Sequence, residues 1–231
     1  MNIAFVLKII DHCTDSERAE NVDNFTGPPI YIVQELDRQL ETWRLQLPSR
    51  LQWTEADIYS AEDTGTIQDT DAEAGASPSQ KSQLNQVGAE ILAAELRARF
   101  YYAQFILGRP FIFKALHFAE FMNDQDAEYC AQAIRSACLW PAVLSPARHQ
   151  KRLLPHLFTW TQNFIAILTI LWMSRRNDCL GQICREKLDE EWVERMVGQM
   201  LFWIKDIKQI DNIAEWSWHF LQPLFSIPNH Q

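Results

Sequence analysis

Residues 30–47, IYIVQELDRQLETWRLQL, decide the fold. Ile30, Val33, Leu36, Leu40, Trp43 and Leu47 recur at steps of three and four, which sets them along one face of a helix. Glu35, Asp37, Arg38, Glu41 and Arg44 take the other face. Pro28 and Pro29 suit the entry of this helix and Pro48 its end, because proline lacks the N–H that interior helical positions donate. A stripe of this kind is stable only when something covers it, so the segment predicts further helices.

Toward the carboxy end, residues 54–80 (TEADIYSAEDTGTIQDTDAEAGASPSQ) carry seven acidic residues, no Lys or Arg, and only Ile58, Tyr59 and Ile67 as large apolar groups. Such a stretch does not bury enough surface to offset its ordering entropy, so it reads as a disordered acidic insertion. Beyond it, Leu84, Val87, Ile91, Leu96, Phe100, Ala103 and Leu107 predict a long helix that Gly108 and Pro110 end or kink, with Pro110 opening a second segment, PFIFKALHFAEF. Asn123 reads as the N-cap of a helix over 124–140, with Asp124, Asp126 and Glu128 near the positive end of its dipole. A loop with Pro141 and Pro146 precedes the most hydrophobic helix, over 153–175, expected at the centre of the bundle. Amphipathic segments over about 188–207 and 213–225 finish the chain. No alternating run with hairpin signals and no fixed repeat occurs. The expectation is an all-α fold: one domain over 1–231, an irregular multi-helix bundle with 54–80 as a disordered acidic loop.

Composition narrows the function classes. The chain has 231 residues, 47% of them hydrophobic, with 7 Gly, 10 Pro and 5 Cys, which excludes collagen-like, disulfide-framework and wholly disordered proteins. Its net charge of −9 opposes phosphate, so a basic nucleic-acid surface is not expected. Most of that acidity sits in 54–80, leaving the rest close to neutral. Cys13, Cys130, Cys138, Cys179 and Cys184 are odd in number and contain no C-x-x-C pair, which indicates reduced thiols rather than a disulfide scaffold or zinc clip. The amino end, MNIAFVLKIIDHC, lacks a basic n-region and a cleavage site, so it does not read as a signal peptide. The longest apolar run, residues 164–173 (FIAILTILWM), falls short of the ~20 residues that span a bilayer.

Catalytic patterns are scarce. G-x-S-x-G, H-E-x-x-H, G-x-G-x-x-G and G-x-x-x-x-G-K-[ST] are all missing. The one carboxylate cluster, Asp124, Asp126 and Glu128, invites comparison with the aspartate-rich helix by which all-α terpene cyclases hold magnesium. On a helix Asp124 and Glu128 share a face and Asp126 points about 200° away from Asp124, so the cluster reads first as a solvated helix start. His149 and His156 read as loop and helix-start residues, Trp160, Phe164 and Trp172 as core, and Arg148, Lys151 and Arg152 as wet surface. No catalytic, cofactor-binding or metal residue is assigned.

One resemblance spans nearly the whole chain. The run 32–37 (IVQELD) through Trp43-Arg44, then Leu47-Pro48 and Leu51-Gln52-Trp53, resembles the start of the regulatory (middle homology) domain of fungal zinc binuclear cluster transcription factors. In that family an acidic insertion of variable length is followed by a signature similar to residues 96–103 (LRARFYYA) and 108–117 (GRPFIFKALH), with Gly108 where many members carry histidine. Residues 157–161 (LFTWT) and 214–218 (AEWSW) resemble the carboxy-terminal part. The resemblance implies a non-enzymatic helical domain that controls transcription in the nucleus through protein co-regulators or a dimer partner, with a small-molecule effector between helices as a further option. Family members bind two zinc ions in a six-cysteine, DNA-reading cluster that is absent here, so neither zinc nor direct DNA contact carries over to any residue of this chain. A truncated member and a stand-alone regulatory domain both fit; a truncated member without an import signal would stay cytoplasmic. Arg97, Arg99 and Arg109 are expected to pair with carboxylates or cap helices. The alternatives are a small magnesium-dependent enzyme of terpene-cyclase type using Asp124 and Glu128, and an interaction scaffold unrelated to transcription. No membrane partner is expected.

Overall fold

The computed structural model describes residues 28–54, 58, 79–144 and 157–225. Among them every regular element is helical. Helix α1 spans Ile30–Leu45 and buries Val33, Leu36 and Leu40, the stripe read from the sequence. Pro29 starts it, with a carbonyl that accepts from the Ile32 N–H at 2.9 Å. Most of the acidic segment lies outside the described residues. Ile58 departs from the expectation for that segment, since its side chain is 1% exposed and belongs to the core.

Helix α2 runs unbroken over Ser79–His117, through both Gly108 and Pro110. Of the two outcomes expected at Gly108 and Pro110, an end or a kink, the end does not occur. A proline costs an interior helix one hydrogen bond and a ring clash, about 3 kcal/mol. Here tertiary burial outweighs that cost: Phe105, Ile106, Leu107, Phe111 and Ile112 are all buried, and only the Arg109 side of this stretch is open to water.

The other helices are α3 (Asp124–Cys138), α4 (Trp140–Leu144), α5 (Leu157–Ser174), α6 (Asp178–Lys187), α7 (Glu190–Ile207) and α8 (Asn212–Leu224). Helix α6 was not anticipated. Its start signal is plain in retrospect, since Asn177 accepts from the Leu180 N–H. Asp189 caps α7 in the same way, and Asp211 caps α8 through two N–H groups. Pro141, assigned to a loop, falls in the first turn of α4, where the missing N–H costs nothing.

Helix α2 packs on α1, α3, α4 and α6, and α3 is its most extensive partner. Small side chains make this crossing close: Ala103, Gly108 and Ala115 on α2 and Ala131, Ala133 and Ala137 on α3 are all buried. Helices α7 and α8 pack on each other and on α5. Rings tie the two halves together, Tyr102 to Trp140 at 5.5 Å, Trp140 to Phe164 at 6.1 Å and Phe164 to Trp203 at 6.2 Å. Aromatic pairs of this kind contribute about 0.5–1.5 kcal/mol beyond their area.

The most hydrophobic helix, α5, is not the centre among the described residues. It buries Phe164, Ile167, Leu168 and Leu171, but Ile165, Ile170 and Trp172 remain half-buried. Length and small residues, which permit close approach on several sides, place α2 there instead.

Candidate functional site

Five of the residues that carry the resemblance, Trp43, Arg44, Trp53, Arg97 and Phe100, assemble in one place. Trp43 and Arg44 leave the last turn of α1, and Pro48 with the short 3-10 turn Ser49–Leu51 reverses the chain. Gln52 Nε2 donates to the carbonyls of Leu45 and Leu47 at 3.0 and 2.8 Å, satisfying backbone acceptors left at and just beyond the helix end. That return lays Trp53 against α2. Phe100 stacks on Trp43 at 6.5 Å and meets Trp53 edge-on at 5.5 Å. The Arg44 guanidinium lies 5.7 Å from Phe100 and 5.9 Å from Trp53, donates to the Trp53 carbonyl at 3.0 Å and pairs with Glu41 at 2.7 Å. Arg97 lies over Trp53 at 6.0 Å. Arg99 approaches Glu95 at 3.9 Å as expected, and Arg109 is exposed. The charges and rings of this cluster are spent on one another, and its work is to bind α1 to α2.

The acidic run at the start of α3 does not converge. Asn123 accepts from the Asp126 N–H at 2.9 Å, and the Asp126 carboxylate accepts from the Asn123 N–H at 3.2 Å, closing a capping box. The same Asp126 oxygen takes the ammonium of Lys114 at 2.7 Å, with the two side chains only 3% and 5% exposed. Glu128 turns outward to Lys187 at 2.5 Å, which pushes the Lys187 ammonium above its ordinary range, and Asp124 is exposed. Thus the run is a helix cap and two ion pairs. The Lys114–Asp126 link was not legible, because it joins the end of α2 to the start of α3 across a turn whose course the side-chain pattern does not specify.

Asp37, assigned to the solvent face of α1, turns inward between α2 and α3. Gln104 and Gln132 lie beside its carboxyl, and Oδ1 is buried without a partner among the described residues. The adjoining cavity, about 10 Å³, is no larger than a single water needs. Burial, the dominant cause, pushes the Asp37 carboxyl above its ordinary range, and Glu41 adds to it. The folded state therefore holds this proton more tightly than the unfolded chain, contributing stability below the ordinary carboxylate range and losing it as pH rises through the elevated folded value. Asp37→Asn is expected to raise the unfolding midpoint slightly at pH 7 and leave it unchanged at pH 3. A fall at pH 7 would contradict this account.

Cys130 and Cys138 are buried, which drives both thiols far above the ordinary range and makes them inert. Among the described residues no group of three or more His, Cys, Asp or Glu is placed to hold a metal ion. No helix among these residues is long and apolar enough to cross a membrane. His149, His156, Arg148, Lys151 and Arg152 lie outside the described residues.

The surface feature that stands out is on α8. Trp218 is buried, with the ammonium groups of Lys205 and Lys208 at 6.0 and 5.2 Å from its ring. Two residues away, Trp216 is 66% exposed and stacks on Phe220, itself 43% exposed, with rings 6.0 Å apart and 6° from parallel. Their i, i+4 spacing sets both on one helix face. Large aromatic rings left in water are uncommon, and this pair forms one exposed apolar face of α8. The pattern read Trp216 and Trp218 alike; only packing separated them. Comparison with protein-family models, curated proteins and solved structures finds no match for the chain.

Proposed function

We propose that this chain is a non-enzymatic helical regulatory domain that controls transcription in the nucleus through a protein co-regulator, docking the apolar face of a co-regulator helix on Trp216 and Phe220. The observation that carries the reading is the pairing of two facts at one site: the motif at 214–218 falls where the family resemblance places the end of its regulatory domain, and that motif presents a stacked aromatic pair to solvent. An exposed aromatic ridge is what a partner helix with apolar residues at i, i+3 and i+4 would cover. The ordered motifs from 32 to 218 support the family assignment, and the packing of Trp43, Arg44, Trp53 and Phe100 on one another supports an architectural rather than catalytic use of those four residues. Regulation through partners requires no reacting centre.

The test is a reporter assay with the whole chain fused to a heterologous DNA-binding domain. Tethering it is expected to change transcription several-fold in either direction, and Trp216→Ser with Phe220→Ser to abolish that change without altering the unfolding midpoint. A tethered chain with no effect on the reporter would overturn the transcriptional reading. An effect that survives the double substitution would move the contact surface away from α8.

A further inference from the structure

The end of α5, the body of α6 and the start of α7 surround a cavity of about 240 Å³, away from both the aromatic cluster and the α8 ridge. Helices α6 and α7 each pack on α5, and the space lies between them. The three contribute by the same rule, residues at i, i+3 and i+4, so that one face of each helix lines it. Helix α5 supplies Leu171, Ser174 and Arg175. Leu171 and Ser174 are buried, and the Ser174 hydroxyl donates to the Leu171 carbonyl at 2.7 Å.

Helix α6 contributes Gly181, Cys184 and Arg185. A Cβ at Gly181 would lie 2.7 Å from the Ser174 carbonyl oxygen and 3.2 Å from Arg185 Nη1. The glycine therefore lets the carbonyl end of α5 and the folded-back Arg185 guanidinium reach the same small space. From α7 come Glu190, Val193 and Glu194, with Val193 and Leu171 as the apolar surface.

The charges divide unevenly. Arg175 is ion-paired with Glu194, and its guanidinium lies 5.6 Å from the Phe225 ring. Arg185 and Glu190 have no ion-pair partner among the described residues, although both line the cavity. One uncommitted guanidinium, one uncommitted carboxylate and a helix C-terminal carbonyl, set around an apolar patch, are complementary to a small molecule bearing a carboxylate, an ammonium and a hydrocarbon chain. We propose that this cavity binds a free α-amino acid with an aliphatic side chain. Arg185 holds the carboxylate through its planar pair of N–H donors. Glu190 and the negative end of α5 take the ammonium, and Leu171 and Val193 the side chain. Size agrees: at ~30 Å³ per water the space equals about eight waters, close to the non-hydrogen atom count of valine or leucine and below the ~300–1,000 Å³ of drug-sized sites.

Binding in solution tests this without reference to transcription, so its outcome is separate from that of the reporter assay. Isothermal titration of the full chain with L-leucine and L-valine is expected to show saturable binding at sub-millimolar concentration. The probes 4-methylpentanoate, which lacks the ammonium, and 3-methylbutylamine, which lacks the carboxylate, are expected to bind at least about tenfold more weakly. Arg185→Gln and Glu190→Gln each weaken L-leucine by a similar factor and leave the unfolding midpoint of the free chain unchanged. No binding of either amino acid up to on the order of 10 mM, weaker than a millimolar site, overturns the proposal. So does equal affinity for the singly charged probes, or binding indifferent to both substitutions.

Discussion

Lys114→Met is expected to lower the stability of the chain by about 3–5 kcal/mol, the cost of leaving one partner of a buried ion pair uncompensated. For a chain of this length that is a fall of roughly 10 °C in the unfolding midpoint. The effect is large because Asp126 has two duties. Its carboxylate closes the capping box with Asn123 and also neutralises Lys114 at 2.7 Å, in a site where neither side chain reaches water. With the ammonium gone, the carboxylate must either stay charged in an apolar setting or abandon the cap. The double variant Lys114→Met with Asp126→Leu is expected to recover much of the loss, because an apolar pair of similar volume carries no desolvation penalty. Chemical denaturation of the two variants decides the matter. A single variant within about 1 kcal/mol of the parent, the range of an exposed ion pair, would show that the pair is solvated.

Gly108→Ala is the second large effect. Alanine ordinarily strengthens a helix interior by about 1 kcal/mol over glycine. Here the new Cβ would sit 2.5 Å from the Ala133 Cβ and 2.6 Å from the Tyr129 carbonyl oxygen. The second contact is backbone of α3 and does not rotate away, so α2 and α3 must separate along the most extensive interface of the fold. A net loss of about 2 kcal/mol is expected, within the range of overpacking in a filled core. Gly88, in the same helix with nothing within 4 Å of its Cβ position, is the control. Gly88→Ala should stabilise by about the ordinary propensity difference. Adding Ala133→Gly to Gly108→Ala relieves only one of the two contacts and should recover only part of the loss. If both glycines respond alike, the close crossing of α2 and α3 is wrong.

The same two helices show how far local pattern reaches. The α1 stripe, the Asn123 cap and the ends of α7 and α8 were legible, because each depends on residues within a turn or two of one another. That α2 continues past Pro110 rather than ending there was not: the proline penalty is local, but the burial that outweighs it comes from the other helices packed on α2. Helix α6 went unread for a different reason. At ten residues its apolar positions are too few for a clear period, although its cap was present.

The candidate sites divide the same way. Trp43, Trp53, Phe100 and their arginines stood out as motifs, yet which of them touch was a matter of chain return through Pro48. The cavity by Arg185 and Glu190 had no sequence signal, because no single helix contains it. Each helix supplies an ordinary i, i+3, i+4 face, and only their convergence makes a space.

Sequence alone determined the helical character of the described residues, the Asn123 cap and the buried stripe of α1, because those properties are set by periodicity and by backbone groups seeking partners close along the chain. Tertiary structure decided which helix lies at the centre, which tryptophan stays in water and which charges are left uncommitted. Those outcomes depend on close approach between distant segments, where a missing Cβ at Gly108 or a buried ammonium at Lys114 counts for more than the hydropathy of any one helix.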